Sequence, residues 1–318
     1  MRWGMTCLAA AAVVGGLASP TAAGPKSYGW TDLGLPTGGA FSIAFGVNAR
    51  GDIVGAAFGT DGNPTSSGFL LPSGGGVTVI SAGGPRVQPR AINPRGDVAV
   101  SGDFGSHWRA GTLTPLGMTA ATAVNERGTI AGYVSGGQYA ATWDDGVVTT
   151  LPSLGGEVRK TGYALAINAR GVVVGQSLDL VGELQPTMWV DGVPSRLTPL
   201  AGDDAGGAFG INDRGWIVGY TYKVGDGTHH PVLWRDGVPT ALAGIGTAYA
   251  VNNRGVVVGA TFFDSAEDAF VWEDGVLSEL PDAGDGFRSA AYAINERGDI
   301  VGWAWTSDGG SHAALWTR

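Results

Sequence analysis

A four-residue motif that returns seven times along the chain constrains the fold more than any other feature. The motif is N-x-R-G, and its first and last asparagines are 247 residues apart, which gives an average spacing of about 41 residues. Repeats of this length often contain four short strands. The seven copies begin at Asn48, Asn93, Asn125, Asn168, Asn212, Asn252 and Asn295.

The residues around each motif predict two strands joined by a tight turn. Small and larger residues alternate before the asparagine, as in residues 248–251 (AYAV), and β-branched residues follow the glycine, as in residues 256–258 (VVV). The asparagine is expected to open the turn by bonding its own backbone. The glycine is expected to close the turn in the left-handed conformation.

The second half of each repeat predicts a second pair of strands. A third strand ends in tryptophan in six copies, with Leu71 in the first copy; the tryptophans are Trp108, Trp143, Trp189, Trp234, Trp272 and Trp316. In four copies an Asp-Gly turn follows, at residues 145–146, 191–192, 236–237 and 274–275. Asp-Gly between apolar strands is a strong hairpin signal. A fourth strand then reaches a leucine, at Leu151, Leu197, Leu242 and Leu280.

Four strands repeated seven times bury both faces when the sheets stack radially around an axis. The chain therefore predicts an all-β fold, a seven-bladed β-propeller of four-stranded antiparallel blades. The repeated tryptophan is expected to pack between adjacent blades. The chain stops where a last fourth strand is due, and residues 30–36 (WTDLGLP) resemble a fourth strand. We expect this N-terminal strand to complete the last blade.

The second repeat departs most from the pattern. Val100 replaces the glycine that ends the second strand, Ala110 and Gly111 replace Asp-Gly, and only 32 residues separate Asn93 from Asn125. If this copy formed a loop instead of a blade, the propeller would have six blades.

The repeated I-N-x-R-G-x-I-V-G, followed by a strand that ends in tryptophan, resembles the HAF repeat of bacterial extracellular proteins. Residues 268–272 (DAFVW) and 312–316 (HAALW) carry the second half of this pattern. The resemblance spans nearly the whole mature chain. It implies an exported repeat protein and supplies no catalytic residues.

Charge and the N-terminus exclude some partners and indicate a location. The net charge is −9 with only three lysines, so no basic stripe exists to bind nucleic acid, and no apolar run beyond the N-terminus is long enough to span a membrane. Residues 1–23 are typical of a signal peptide, which leaves residues 24–318 as one propeller domain that is secreted or held in the cell envelope. The one cysteine, Cys7, lies in that leader, so we expect no disulfide or thiolate metal site.

No motif of a known catalytic, phosphate-binding or metal-binding site occurs, and we predict no catalytic residue, no metal and no cofactor. His230 and His312 each lie four residues before a repeat tryptophan, which indicates a structural role. Acidic residues gather in the loops around residues 203–204, 264–268 and 282–285. A calcium site in these loops is the alternative to simple solvation.

One face of the propeller is expected to carry the function. The N-x-R-G and Asp-Gly turns share one face, so the long, variable connections lie on the other, which we call the long-loop face. Aromatic residues that the repeat does not explain follow the second strands, and they are the predicted binding residues: Tyr220, Tyr222, Phe262, Phe263, Trp303 and Trp305. Trp303 and Trp305 are two residues apart and are expected to form one apolar platform. The alternative is burial between blades seven and one.

Three functions remain open from sequence. The leading hypothesis is a monomeric, non-enzymatic binding or scaffold protein with a carbohydrate or protein ligand at the long-loop face. The second is a hydrolase or lyase that uses loop carboxylates near the central axis. The third is a structural surface protein without a small ligand.

Overall fold

The structure is a computed structural model that describes residues 27–59, 66–81, 84–134, 139–242, 244–263, 266–282 and 288–318; the side chains of Phe263 and Ala266 are also outside the description. The predicted signal peptide lies outside these ranges. The described residues form strands, turns and loops only.

The strands form seven four-stranded antiparallel sheets arranged as the blades of a ring. Blade 1 consists of β2 (Phe41–Val47), β3 (Ile53–Phe58), β4 (Ser66–Leu71) and β5 (Thr78–Ile80). Blade 2 consists of β6 (Val87–Ile92), β7 (Val98–Gly102), β8 (Gly105–Arg109) and β9 (Thr112–Met118). Blade 3 consists of β10 (Ala120–Val124), β11 (Ile130–Val134), β12 (Tyr139–Asp144) and β13 (Val147–Thr150).

The remaining blades repeat this order from the axis outward. Blade 4 consists of β14 (Gly162–Ile167), β15 (Val173–Leu178), β16 (Leu184–Val190) and β17 (Val193–Arg196). Blade 5 consists of β18 (Ala205–Ile211), β19 (Ile217–Tyr222), β20 (His230–Arg235) and β21 (Val238–Ala241). Blade 6 consists of β22 (Gly246–Val251), β23 (Val257–Phe263), β24 (Ala266–Glu273) and β25 (Val276–Glu279). Blade 7 consists of β26 (Ser289–Ile294), β27 (Ile300–Trp305), β28 (Ser311–Thr317) and β1 (Gly29–Asp32).

The predicted seven-bladed propeller and its closure are confirmed. β1 pairs antiparallel with β28, so that Gly29 lies opposite Thr317 and Asp32 lies opposite Ala314. The N-terminal strand thus completes the last blade. The second repeat also forms a full blade. Ala110 and Gly111 adopt φ angles of 47° and 89°, close to the 44° and 89° of Asp145 and Gly146, so the hairpin keeps its turn type without the aspartate.

The seven motif asparagines form a closed ring of hydrogen bonds around the axis. The side-chain amide of each donates to the backbone carbonyl of the asparagine in the next blade, at 2.9 Å from Asn212 to Asn252 and at 3.0 Å from Asn295 back to Asn48. Each side-chain oxygen also accepts backbone N–H groups of its own turn; that of Asn212 accepts from Arg214 and Trp216. All seven asparagines are buried. The predicted turn role is confirmed, and the bond between blades is additional.

In five of the seven copies the arginine of the motif lies over the turn glycine of the next blade; Gly171 and Gly255 are the exceptions. A Cβ atom at Gly298 would lie 2.9 Å from Nη2 of Arg254, and one at Gly215 would lie 3.0 Å from Nη2 of Arg170. Both glycines also have positive φ, of 96° and 85°. Glycine is therefore favoured mainly by its backbone conformation, and a larger residue at these two positions would also displace the arginine side chain.

The repeated tryptophans pack between blades, as predicted. Trp189, Trp234 and Trp316 are at most 1% exposed, and their indole N–H groups donate to carbonyls of the preceding blade's outer loop; the distance from Trp316 to Pro281 is 2.6 Å. Leu280 joins Trp316 in one apolar cluster, and Leu151, Leu197 and Leu242 likewise pack with the tryptophan of the next blade.

Within the described ranges, no helix is long and apolar enough to cross a membrane.

Closure by β1 predicts the effect of a truncation. Deletion of residues 24–36 would leave the edge of β28 unpaired and would uncover Trp316, so we expect oligomers in size-exclusion chromatography and a lower melting temperature. Deletion of residues 24–27, which leaves β1 intact, is the control. A monomeric 24–36 deletion with unchanged melting would contradict this role of β1.

Candidate ligand-binding site

A β-bulge interrupts each of the seven innermost strands at the same place. The register of β2 against β3 shifts between Ala44 and Gly46, and the equivalent shift recurs in the other six blades. A bulge leaves one residue unpaired and redirects its side chain. The unpaired residue lies three positions before the motif asparagine, and the seven are Phe45, Arg90, Thr122, Leu165, Phe209, Tyr249 and Tyr292.

All seven bulge residues line one cavity on the axis. The cavity has a volume of about 670 Å³, within the range of small-ligand sites. The bulges are displaced from the asparagine turns, so the cavity opens toward the long-loop face. We call this cavity the funnel.

Four bulge residues form a continuous arc of aromatic rings on one wall of the funnel. Ring centroids are 5.9 Å apart for Phe45 and Tyr292, 5.1 Å for Tyr292 and Tyr249, and 5.7 Å for Tyr249 and Phe209. The interplanar angles are 30°, 64° and 83°, so the wall is curved. Such distances and tilts are favourable for aromatic pairs.

The arc continues outward along blade 5. Tyr220 stacks on Phe209 with centroids 5.6 Å apart and on His229 at 4.0 Å, and Tyr222 follows at 5.9 Å from Tyr220. Tyr220 pairs across the strands with Gly207, where a Cβ atom would lie 3.4 Å from the Tyr220 ring. The closest atom to such a Cβ would be Oε1 of Gln176 at 2.8 Å, so the glycine leaves room for that amide.

The opposite wall is more polar. Tyr133 and Tyr163 meet edge to face at 5.2 Å, and Thr122 and Gln176 lie beside them. The Oε1 atom of Gln176 is buried and accepts no hydrogen bond from the described residues.

Arg90 is the bulge residue of blade 2 and is half-buried in the funnel wall. Its guanidinium carbon lies 4.3 Å from the centroid of the Phe45 ring, and its Nη2 donates to Oε1 of Gln88 at 2.6 Å. No carboxylate of the described residues lies within ion-pair distance of it. Burial lowers the pKa of Arg90, and the nearby Tyr292 and Tyr133 partly oppose this effect.

The funnel has a basic wall in the described residues, although the protein as a whole is acidic. Its described lining contains Arg86 and Arg90 and no aspartate or glutamate. Glu267 is close enough to Tyr249 and Tyr292 to affect them electrostatically. Burial raises the pKa of Glu267, an effect that Arg288 opposes and Asp268 reinforces.

The axis has a different character at the face of the N-x-R-G turns. There a smaller depression of about 210 Å³ is lined by the seven asparagines and by the valine or isoleucine before each of them. Glu126, Asp213 and Glu296 surround its mouth. The two ends of the axis therefore differ in charge, and the aromatic arc lies only at the positive end.

The predicted binding residues with described side chains are absent from the funnel lining and lie around it. Trp303 is half-buried, and its indole N–H donates to the hydroxyl of Tyr292 at 3.2 Å, so it supports a ring of the arc, as Tyr220 does. Phe262 and Trp305 are 36% and 39% exposed. Together with Tyr222 they occupy one register position, two residues farther out than Tyr220 and Trp303, which we call the rim. The side chain of Phe263 lies outside the described residues.

Sequence reasoning missed the residues that line the funnel. They are hard to recognise in the sequence because they lie within the regular alternation of small and larger residues along the innermost strand. The sequence signal that could have found them is the variation of this position among the repeats. Residues two and four before the asparagine are small with few exceptions, whereas the residue three before it ranges from threonine and leucine to arginine and tyrosine.

The described residues contain no cluster of three or more His, Cys, Asp or Glu side chains that could hold a metal ion. Two of the histidines instead contact aspartates: Nδ1 of His230 lies 2.9 Å from Asp203, and His312 lies between Asp32, at 2.9 Å from Nδ1, and Asp308, at 3.7 Å from Nε2. The acidic residues predicted at positions 264 and 285 lie outside the described ranges.

The chain is similar to known propellers in fold. Virginiamycin B lyase from Staphylococcus aureus matches with a TM-score of 0.58 and 12% identity, over 92% of this chain and 100% of that one. A catalytically inactive form of the same lyase with quinupristin gives a TM-score of 0.60. Acylaminoacyl peptidase from Pyrococcus horikoshii gives 0.59 at 13% identity, over 87% of this chain and 51% of that one.

A fourth similar structure is the β-propeller domain of the Trilobed protease from Pyrococcus furiosus, with a TM-score of 0.51, 12% identity and coverage of 88% of this chain and 94% of that one. That domain has an open velcro topology, whereas β1 closes blade 7 here. No protein-family model and no curated protein matches the chain. At these identities the likeness extends to the propeller fold alone.

The tyrosines of the funnel predict a loss of stability at high pH. Burial raises the pKa of Tyr249, and Tyr292 and Glu267 raise it further; burial also raises the pKa of Tyr292. The folded protein therefore keeps these protons above about pH 10, where the unfolded chain loses them, so the free energy of unfolding falls as pH rises through that value. Phenolate absorbance should show a late component that Tyr249→Phe reduces and that the control Tyr139→Phe, a substitution at the first residue of β12 outside the funnel, retains. Identical titration curves for both variants would contradict the burial of Tyr249.

Proposed function

We propose that this protein is an exported, non-enzymatic binding protein that takes its ligand in the funnel at the long-loop face. The aromatic arc from Phe45 to Phe209 is the observation that carries the proposal. Half-buried rings around an open cavity offer a large apolar contact area that needs little ordering when a ligand binds. The rigid ring of blades holds these side chains in place before binding.

The composition of the wall favours binding over catalysis. A glycoside hydrolase needs a pair of carboxyl groups across the scissile bond, and the described funnel lining contains none. The wall alternates the faces of aromatic rings with hydroxyl and amide groups. Such a wall can bind either a carbohydrate or a segment of a protein.

A hydrolase or lyase is the second candidate, and Glu267 is the observation that favours it. Burial raises the pKa of its carboxyl group, which would suit a general acid beside Tyr249 and Tyr292. The lyase whose structure resembles this chain gives the candidate some support from fold alone. Glu267 has no carboxylate partner in the described funnel lining, so binding remains the better-supported proposal.

Family and location belong to the same proposal. The seven N-x-R-G copies support membership of the HAF-repeat extracellular proteins, and residues 1–23 support export to the cell envelope or the exterior. We propose that the protein is a monomer, which agrees with this family and this location.

A binding screen tests the proposal. The purified protein is applied to glycan and peptide arrays, and hits are titrated by intrinsic fluorescence. Tyr292→Leu should weaken binding by about tenfold or more because it removes the middle of the arc while keeping apolar bulk. Tyr139→Leu, which changes a tyrosine of the long-loop face outside the funnel, is the matched control.

The same titrations measure the contribution of the rim. Trp305→Phe is expected to weaken binding by a few-fold if a ligand extends beyond the funnel, and iodide should quench Trp305 more than Trp303. If no array ligand depends on Tyr292, the proposed site is wrong. Turnover of any bound glycan that Glu267→Gln abolishes would favour the enzyme instead.

A further inference from the structure

We propose that the ligand of the funnel is an acidic oligosaccharide, whose sugar rings lie against the aromatic arc and whose carboxylate binds Arg90. The inference rests on the proposed function and specifies the chemical class of the ligand. It is carried by the position of one arginine among the aromatic bulge residues.

Arg90 is prepared to bind a carboxylate. The contact with the Phe45 ring and the hydrogen bond to Gln88 hold the guanidinium in the funnel wall. This bond to Gln88 is the one side-chain hydrogen bond that Arg90 makes with the described residues, so most of its five N–H donors are left for a ligand. The planar fork of a guanidinium matches the two oxygens of a carboxylate with two parallel hydrogen bonds.

The charge of the wall selects an anion over a cation. Clustered aromatic rings can also bind quaternary ammonium groups through their negative faces. Here Arg90 already lies over the ring of Phe45, and Arg86 also lines the funnel. A second cation would be repelled by both arginines.

The shape of the wall selects a saccharide over a flat aromatic acid. Successive rings of the arc are tilted by 30°, 64° and 83°, so a planar ligand could stack on only one of them. The rings of an oligosaccharide turn relative to one another and present apolar C–H faces in several directions. The tyrosine hydroxyls, Thr122 and Gln88 supply partners for its hydroxyl groups.

Selectivity must arise inside the funnel because the protein as a whole repels anions. The net charge is −9, and the other end of the axis carries Glu126, Asp213 and Glu296. Non-specific attraction of polyanions is therefore absent, and an acidic glycan that binds must do so through local contacts.

Matched pairs of oligosaccharides test the inference. The probes are tetramers of β-1,4-glucuronate, α-1,4-galacturonate and β-1,4-mannuronate, each measured by calorimetry beside the neutral hexose tetramer of the same linkage. We expect at least one uronate to bind about tenfold more tightly than its neutral partner, as a charge-assisted bidentate contact requires. Added salt should weaken only the uronate.

Variants connect this preference to Arg90. Arg90→Gln should abolish the preference for the uronate, measured as the ratio of its affinity to that of the neutral tetramer for the same variant. Arg90→Lys keeps the charge without the planar fork and should retain part of the preference. Lys223→Gln removes a positive charge from the same face outside the funnel and should leave the preference unchanged.

Each outcome decides between the inference and the proposed function. Absence of any uronate preference, a preference that Arg90→Gln leaves intact, or a preference insensitive to salt overturns the inference. Binding of neutral glycans or peptides that depends on Tyr292, with no uronate bound more tightly than its neutral partner, overturns the inference alone. Absence of any Tyr292-dependent binding overturns the proposed function as well.

Discussion

The asparagine ring is the interaction on which the rest of the structure depends. Each of its seven side chains satisfies its own turn with the oxygen and holds the next blade with the amide, and the last bond, from Asn295 to Asn48, joins repeats that are 247 residues apart. A single hydrogen bond of this kind contributes only about 1 kcal/mol net. The contribution of the ring lies in its position, because it fixes the distance of every innermost strand from the axis.

The bulges and the funnel follow from this constraint. With the inner strands tied together at the asparagine turns, small residues two and four positions earlier allow the backbones to crowd the axis. The bulge between them turns one side chain per blade toward the axis above the ring. The repeat thus provides seven equivalent positions at which the fold does not require a particular side chain. This chain has aromatic side chains at four of these positions and an arginine at a fifth. The innermost strand of each blade therefore contributes both to the repeated scaffold and to the variable lining of the funnel.

Sequence reasoning predicted the fold because its determinants are local and repeated. Residues such as Gly298 and Asp145 specify turns through their own backbone conformations, and the tryptophan at the end of each third strand indicates the packing of blades. The site depends on features that local patterns do not show. A bulge changes the direction of Tyr249 or Arg90 without a residue that marks it, and the amide bond between Asn212 and Asn252 exists only once the blades are placed side by side. The predicted Trp303 and Tyr220 were therefore near the site, one layer behind the residues that line it.

The free energy of unfolding of Asn212→Ala, measured by urea denaturation, tests the central role of the asparagine ring most directly. The substitution removes the bond to Asn252 and leaves the backbone N–H groups of Arg214 and Trp216 without their acceptor. We predict a loss of about 2–4 kcal/mol, against less than about 1 kcal/mol for Asp236→Ala in the exposed outer turn of the same blade. Equal, small losses for the two variants would contradict the account, because the ring would then be a consequence of blade packing and not its constraint.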